Sequence, residues 1–432
     1  YEFITASLLE NITDDSKLDF IITISETQKF YVEKINITGN HITLEETIRN
    51  SFIVDEGDPY NEILFNKSIN KIKSRGIFSK VDKELLEGSN EGLKIITINV
   101  EEKPTGEISL GAGVGTNGAS IGGGIKENNF LGKGIMLDTN LSISEDTIKG
   151  KFTYSRPNFN NSDNDLSTSL ESTSTDKLSD SGYKSSIIGF SLGTNFEQYE
   201  NLFFSPTLKT SVESLETTNL ASAAIKRQEG DYFDTNFAYS LVYDRRDRTY
   251  QPRDGYRISF FQDLPIVSDN YEVINGFDAT QYTALFYDMV GKVNLYGKAI
   301  NTLKNGDTRL SKRLYASASK LRGFKSGKIG PTDNTDYVGG NYVAGLNFSS
   351  TLPQILPSLQ NIDFNIFFDA ANVWGVDYSS TIDDSNQIRS SLGLAMDVLT
   401  PIGPMNFSLA QPITKKSSDT TEAFRFNIGT TF

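Results

Sequence analysis

The chain has 432 residues, with 41 Lys+Arg against 55 Asp+Glu (formal charge −14), one His, one Trp and no Cys. A lone His41 and no cysteine exclude thiolate zinc sites, disulfide scaffolds and most Ser-His or Cys-His catalysis, and the negative charge argues against nucleic acid as the main partner. Apolar residues make up only 37%, yet aromatics reach 11% and there are 35 Gly, which is not the composition of a disordered chain; no apolar run approaches the ~18 residues of a membrane-crossing helix, although strands of a membrane barrel need no such run.

The first residues read as structure. Tyr1 opens on a strand-like run, so a processed or truncated chain is expected. A polar turn from Asn11 to Lys17 leads to a second strand over Leu18–Ile24. Two strands alone are marginal in water, so residues 1–27 are expected to end a larger module lying upstream.

A small α/β unit is predicted over 28–103. Phe30–Asn40 is a strand closed by a Gly-Asn turn. Thr43 is expected to cap a helix, with Glu46 as its capping-box partner and Leu44, Ile48 and Phe52 on one face. A second helix runs from Asn61, with Ile63, Leu64, Ile69 and Ile72 at helical spacing, to a stop at Gly76. Strands over Phe78–Leu86 and Leu93–Val100 complete β-α-α-β-β, a three-stranded sheet with two helices on one side. His41 falls at a turn before the helix, a surface position rather than a catalytic one.

From residue 104 the pattern changes to segments of about ten residues that alternate apolar and polar between Gly/Asn/Asp/Ser turns. Ile362, Phe364, Ile366 and Phe368 oppose Asp363, Asn365 and Asp369. Ile388, Leu392, Leu394, Met396 and Val398 oppose Arg389, Ser391 and Asp397, and Met405, Phe407 and Leu409 repeat the scheme. In the last strand Phe424, Phe426, Ile428, Thr430 and Phe432 oppose Arg425, Asn427 and Gly429. Alternation alone fits either a soluble sandwich or a membrane barrel.

Three features favour the barrel. About 330 residues of strand without helical cover exceed one sandwich. Aromatics sit near strand ends (Phe130, Tyr154, Phe159, Tyr250, Tyr256, Trp374), as interfacial girdles require. Short turns (128–134, 400–404) alternate with long polar loops (213–231, 303–337, 375–387). The expected fold is therefore membrane all-β: an antiparallel transmembrane barrel of about 16 strands, closed edge to edge, behind the α/β unit. Gly113–Gly118 fits G-x-G-x-x-G, but the next residues read as a strand, not the helix that a dinucleotide site needs. Gly111, Gly113 and Gly115 either weaken the first strand, about 106–115, or relieve crowding inside a barrel. No cofactor, metal or catalytic residue is predicted.

Several stretches resemble one family, in the family's order. Phe30–Asn40, Arg75–Val81 and Val100–Pro104 resemble the last periplasmic POTRA domain of the BamA family of outer-membrane protein assembly factors. Asp244–Gly255 (DRRDRTYQPRDG), Leu321-Arg322-Gly323-Phe324, Gly339–Asn341, Phe368–Trp374, Pro401–Pro404 and Phe424–Phe432 resemble its barrel. The resemblance implies a non-enzymatic insertase. Unfolded outer-membrane clients, periplasmic chaperones, accessory BamD-like lipoproteins (through the POTRA domains) and outer-membrane lipid are its implied partners, and residues 1–27 would end a preceding POTRA domain. It also implies a lateral gate between the first strand and the last, at Phe424, Phe426, Ile428, Gly429 and Phe432. The loop over 303–337 would enter the lumen and bring Arg322 to Asp369. The family often has Glu where this chain has Asn347, so Arg322 is expected to lean more heavily on Asp369. A sister POTRA-barrel transporter (TamA-like or a two-partner secretion pore) and a general porin are the rivals; a porin explains neither the α/β unit nor the arginine motif.

Overall fold

The computed structural model describes residues 4–13, 17–26, 29–116, 118–162, 164–219, 221–249, 251–304, 306–353, 362–382, 384–400 and 403–429. They fall into two compact units: 1–107 with 126–137 and 156–163, and 108–125 with 138–155 and 164–432.

The first unit begins with a hairpin, β1 (Ile4–Thr13) against β2 (Lys17–Glu26), which among the described residues forms a two-stranded sheet of its own. Next come β3 (Tyr31–Thr38), α1 (Glu45–Arg49), α2 (Glu62–Ser74), β4 (Phe78–Glu87) and β5 (Leu93–Glu102), with sheet order β3-β5-β4. β3 runs parallel to β5 and β4 antiparallel to it, which is the expected β-α-α-β-β. Phe65, Ile69 and Ile72 of α2 pack on Val32, Ile35, Ile96 and Ile98 of the sheet, a single apolar interface that both layers bury.

Local details differ from expectation. α1 is capped by neither Thr43 nor a capping box: its N-cap is Leu44, without a side-chain hydrogen bond. The Thr43 backbone N–H instead donates to Glu102 Oε1 at 2.6 Å, and its hydroxyl accepts from Asn129 Nδ2 at 2.9 Å. With both groups engaged elsewhere, the helix starts later and is one turn long. Asn61 does cap α2, accepting from Leu64 N at 2.8 Å. Ile63 is exposed, and the buried position belongs to Phe65, two residues on.

Among the described residues, sixteen strands close into one antiparallel barrel, each hydrogen-bonded to its sequence neighbours. The ring closes where the first strand, β6 (Gly106–Gly115), meets the last, Phe424–Gly429. The alternation resolves as a barrel requires. Leu392 and Leu394 lie exposed on the outer wall while Arg389 and Ser391, one residue out of phase, are fully buried inside; a sandwich would bury the apolar set. The strand Leu202–Thr217 runs further than expected, so Glu213 is a buried wall residue and not the start of a loop. Gly118–Phe130 is a strand, so the glycine motif at 113–118 opens no helix. Tyr250, Thr430 and Phe432 lie outside the described residues.

Candidate functional site

Two features of the second unit stand out: the seam that closes the barrel, and a loop folded into the lumen beside it. The seam has three register pairs among the described residues, Asn427 with Gly115, Ile428 with Val114, and Gly429 with Gly113. One further bond, Thr116 N to Phe426 O at 3.2 Å, extends it. By contrast the strands Glu272–Ala284 and Val290–Thr302 share thirteen pairs. Each ladder bond is worth more in a lipid surround, where no water replaces it, so a wall parts at least cost where the fewest bonds join two strands.

Glycine makes that short contact close. A Cβ on Gly115 would stand 2.7 Å from the Phe426 carbonyl oxygen, so here Gly lets another backbone approach. Gly113 lies in the register and Gly111 below it. Along the rest of β6, Ile108 and Leu110 are more than four-fifths exposed, on a strand whose described register with the last strand covers only residues 113–115. Phe424, Phe426 and Ile428 share one face of the last strand by alternation, and Arg425, Phe426 and Asn427 contribute to the lining of a lumenal cavity of about 1730 Å³.

The loop between Val290–Thr302 and Tyr342–Thr351 spans 303–341 and carries the arginine motif. Arg322 grips Asp369 in a two-pronged pair, Nε to Oδ2 at 2.7 Å and Nη2 to Oδ1 at 2.8 Å. Its backbone N–H donates a third bond, to Oδ2 at 3.1 Å. Asn347 Nδ2 donates to Oδ1 at 2.8 Å, so at this position the amide supports Asp369 rather than accepting from the arginine. The guanidinium lies over the Phe367 ring, 3.4 Å from its centroid, and the Arg322 carbonyl accepts from Ser391 Oγ. A planar cation held edge-on by a carboxylate and face-on by a ring is matched by arginine and not by lysine. Gly323 turns the chain with φ +89°, where a Cβ would meet Ala410 Cβ at 3.1 Å. Leu321 and Phe324 on either side are buried among Leu314, Ile329, Val343 and Val373.

The sequence reading missed two further anchors. Arg309, earlier in the loop, is buried against Glu213 (2.9 Å), Asp234 (2.8 Å) and Glu272 (3.5 Å), with Lys312 as second cation. At the far end of the next loop, Arg389 is buried between Asp384 (2.7 Å) and Asp419 (2.9 Å). The available signal was the inward phase of Glu213, Asp234 and Glu272 on three of four successive strands, three carboxylates that a low-dielectric wall would not hold unpaired. Phe367 and Ser391 were legible from the same alternation.

Comparison with known proteins agrees with this architecture. The model of the Omp85 superfamily domain matches residues 129–432, and the POTRA model, described as a surface antigen variable number repeat, matches 30–103. The chain is 24% identical to the outer membrane protein assembly factor BamA of Neisseria meningitidis serogroup B, over all of this chain and 60% of that protein. Its fold is that of the crystal structure of BamA from Haemophilus ducreyi lacking POTRA domains 1-3 (TM-score 0.83, 23% identity, 99% of this chain and 90% of that one). CdiB from Acinetobacter baumannii superposes less closely (TM-score 0.59, 14% identity, 99% of this chain and 78% of that one). The chain spans about 60% of the length of the Neisseria relative.

Proposed function

This chain belongs to the Omp85 superfamily, and on that premise we propose that it folds and inserts β-barrel proteins into the bacterial outer membrane through the seam between its first and last strands. The observation that carries the reading is the closing contact itself, which among the described residues has three register pairs where the other described registers of the wall have from five to fourteen. An incoming strand can pair with an edge released there, so that client backbone is never left unbonded in lipid. The chemistry is exchange of hydrogen-bonded edges, with no covalent step, so the protein acts as an insertase and not as an enzyme.

In this reading residues 28–103 form a periplasmic POTRA domain. Its sheet edges offer strand addition to unfolded clients delivered by chaperones, and β1–β2 is the end of a preceding POTRA domain. Accessory lipoproteins of the BamD kind are the expected partners of that region. Arg322 and Asp369 hold the lumenal loop so that the wall next to the seam keeps its shape. The alternative is a POTRA-barrel secretion pore, supported by the weaker likeness to CdiB.

Reconstitution separates the two. The protein in lipid vesicles, given an unfolded outer-membrane client with a periplasmic chaperone, is expected to fold that client faster than empty vesicles do, read as heat-modifiable mobility on a gel. Client folding no faster than in empty vesicles, together with large steady conductance, would support the pore instead.

A further inference from the structure

Part of what holds the start of the last strand lies in the lumenal loop. Immediately before that strand, residues 420–422 pair with the loop by backbone bonds: Glu422 N to Gly323 O at 2.9 Å, Lys325 N to Thr420 O at 3.0 Å and Thr420 N to Lys328 O at 3.0 Å. Phe324 and Thr421 form an antiparallel bridge between them, and Tyr337 Oη donates to Ser418 O at 2.6 Å. The loop side of this patch begins one residue after Arg322. The far side ends two residues before Phe424, where the last strand starts. Glu422 also reaches across the seam, its Oε2 accepting from Thr116 Oγ1 at 3.4 Å, just beyond the end of β6, and lying 3.8 Å from Arg425 Nη1.

We propose that residues 323–328 and 420–422 form a latch through which docking of Arg322 on Asp369 holds the seam shut, with Glu422 as its positioning residue. The seam's role as the client gate is taken from the reading above; the latch itself concerns only closure. The physical basis is a sum of small bonds. Among the described residues the last strand makes five register pairs with Gly403–Thr414 and three with β6, and the three backbone bonds at its root add to what fixes its start. The chain from Asp369 through Arg322 and Gly323 to Glu422 has no flexible spacer. Release of the loop therefore removes bonds from the root of the gate strand, and opening of the seam strains the loop; such coupling is reciprocal.

The chain has no cysteine, so a Val114→Cys/Ile428→Cys pair reports seam closure by the rate of disulfide trapping. Lys325→Pro deletes one latch donor and distorts its neighbours, whereas Lys325→Ala keeps the backbone N–H. Lys325→Pro and Asp369→Asn are expected to slow trapping about tenfold, the loss of one to two net hydrogen bonds, and Lys325→Ala to trap at the parental rate. Heat-modifiable mobility shows that each variant is a folded barrel. Parental trapping in folded Lys325→Pro would overturn the latch, as would slowing by Asp369→Asn alone.

A reciprocal measurement needs no latch variant. In the cysteine pair, the oxidised protein should be cut by trypsin within 303–341 more slowly than the reduced protein; equal cutting would also overturn the proposal. The gate reading fails separately, if the oxidised seam leaves client folding unchanged.

Discussion

Asp369 has no exposed surface and accepts three bonds from Arg322 and one from Asn347. Replacing it by Asn leaves a guanidinium in the lumen without its counter-ion, and breaking such a pair costs about 3 kcal/mol. Asp369→Asn is therefore expected to lower the temperature at which the compact gel form is lost, and to slow client folding with it. An unchanged transition and unchanged folding would mean that the lumen hydrates Arg322 well enough to dispense with its partner. Arg309 is bound more deeply than Arg322, among three carboxylates and beside Lys312, so the loop is anchored at its beginning as well as at its motif.

At the scale of elements, the turn between β3 and α1 is held by one carboxylate. Burial pushes the Glu102 pKa up, but hydrogen bonds from Thr43, Ile42 and His41 outweigh it and hold the group below the ordinary glutamate value. A depressed pKa contributes stability that is present above the unfolded-state value and lost as pH falls through the folded one. Glu102→Gln should therefore lower the melting temperature of the α/β region, followed by helix circular dichroism, most at pH 7, with the difference from the parent shrinking as pH falls below the ordinary glutamate range and through the depressed folded-state pKa. A difference that persists unchanged in acid would assign the effect to shape rather than charge. These elements were legible to different degrees. The start of α2 near Asn61 was legible because the helical spacing of Leu64, Ile69 and Ile72 is local information, and the structure adds Asn61 as its cap. Thr43 misled because its groups are taken by Glu102 and Asn129, distant in sequence. Strand phase was readable throughout the wall, since alternation with period two survives whichever solvent lies outside; strand ends were not, as Glu213 illustrates.

For the whole molecule, the barrel's closure ties first strand to last across the full length of the domain. The sequence showed both partners, β6 with its glycines and the aromatic final strand, but not which residues pair across the closure, because register between remote segments leaves no local trace. The lumenal position of Arg322 was an expectation from family resemblance, and its backbone continuation into 420–422 was not visible at all. In the proposed function the seam is the working part of the protein. The most direct test of that reading is client folding by Val114→Cys/Ile428→Cys protein in vesicles, measured oxidised and then reduced. Oxidised protein should fold clients no faster than empty vesicles, with activity restored by reductant; equal acceleration in both states would contradict passage through the seam.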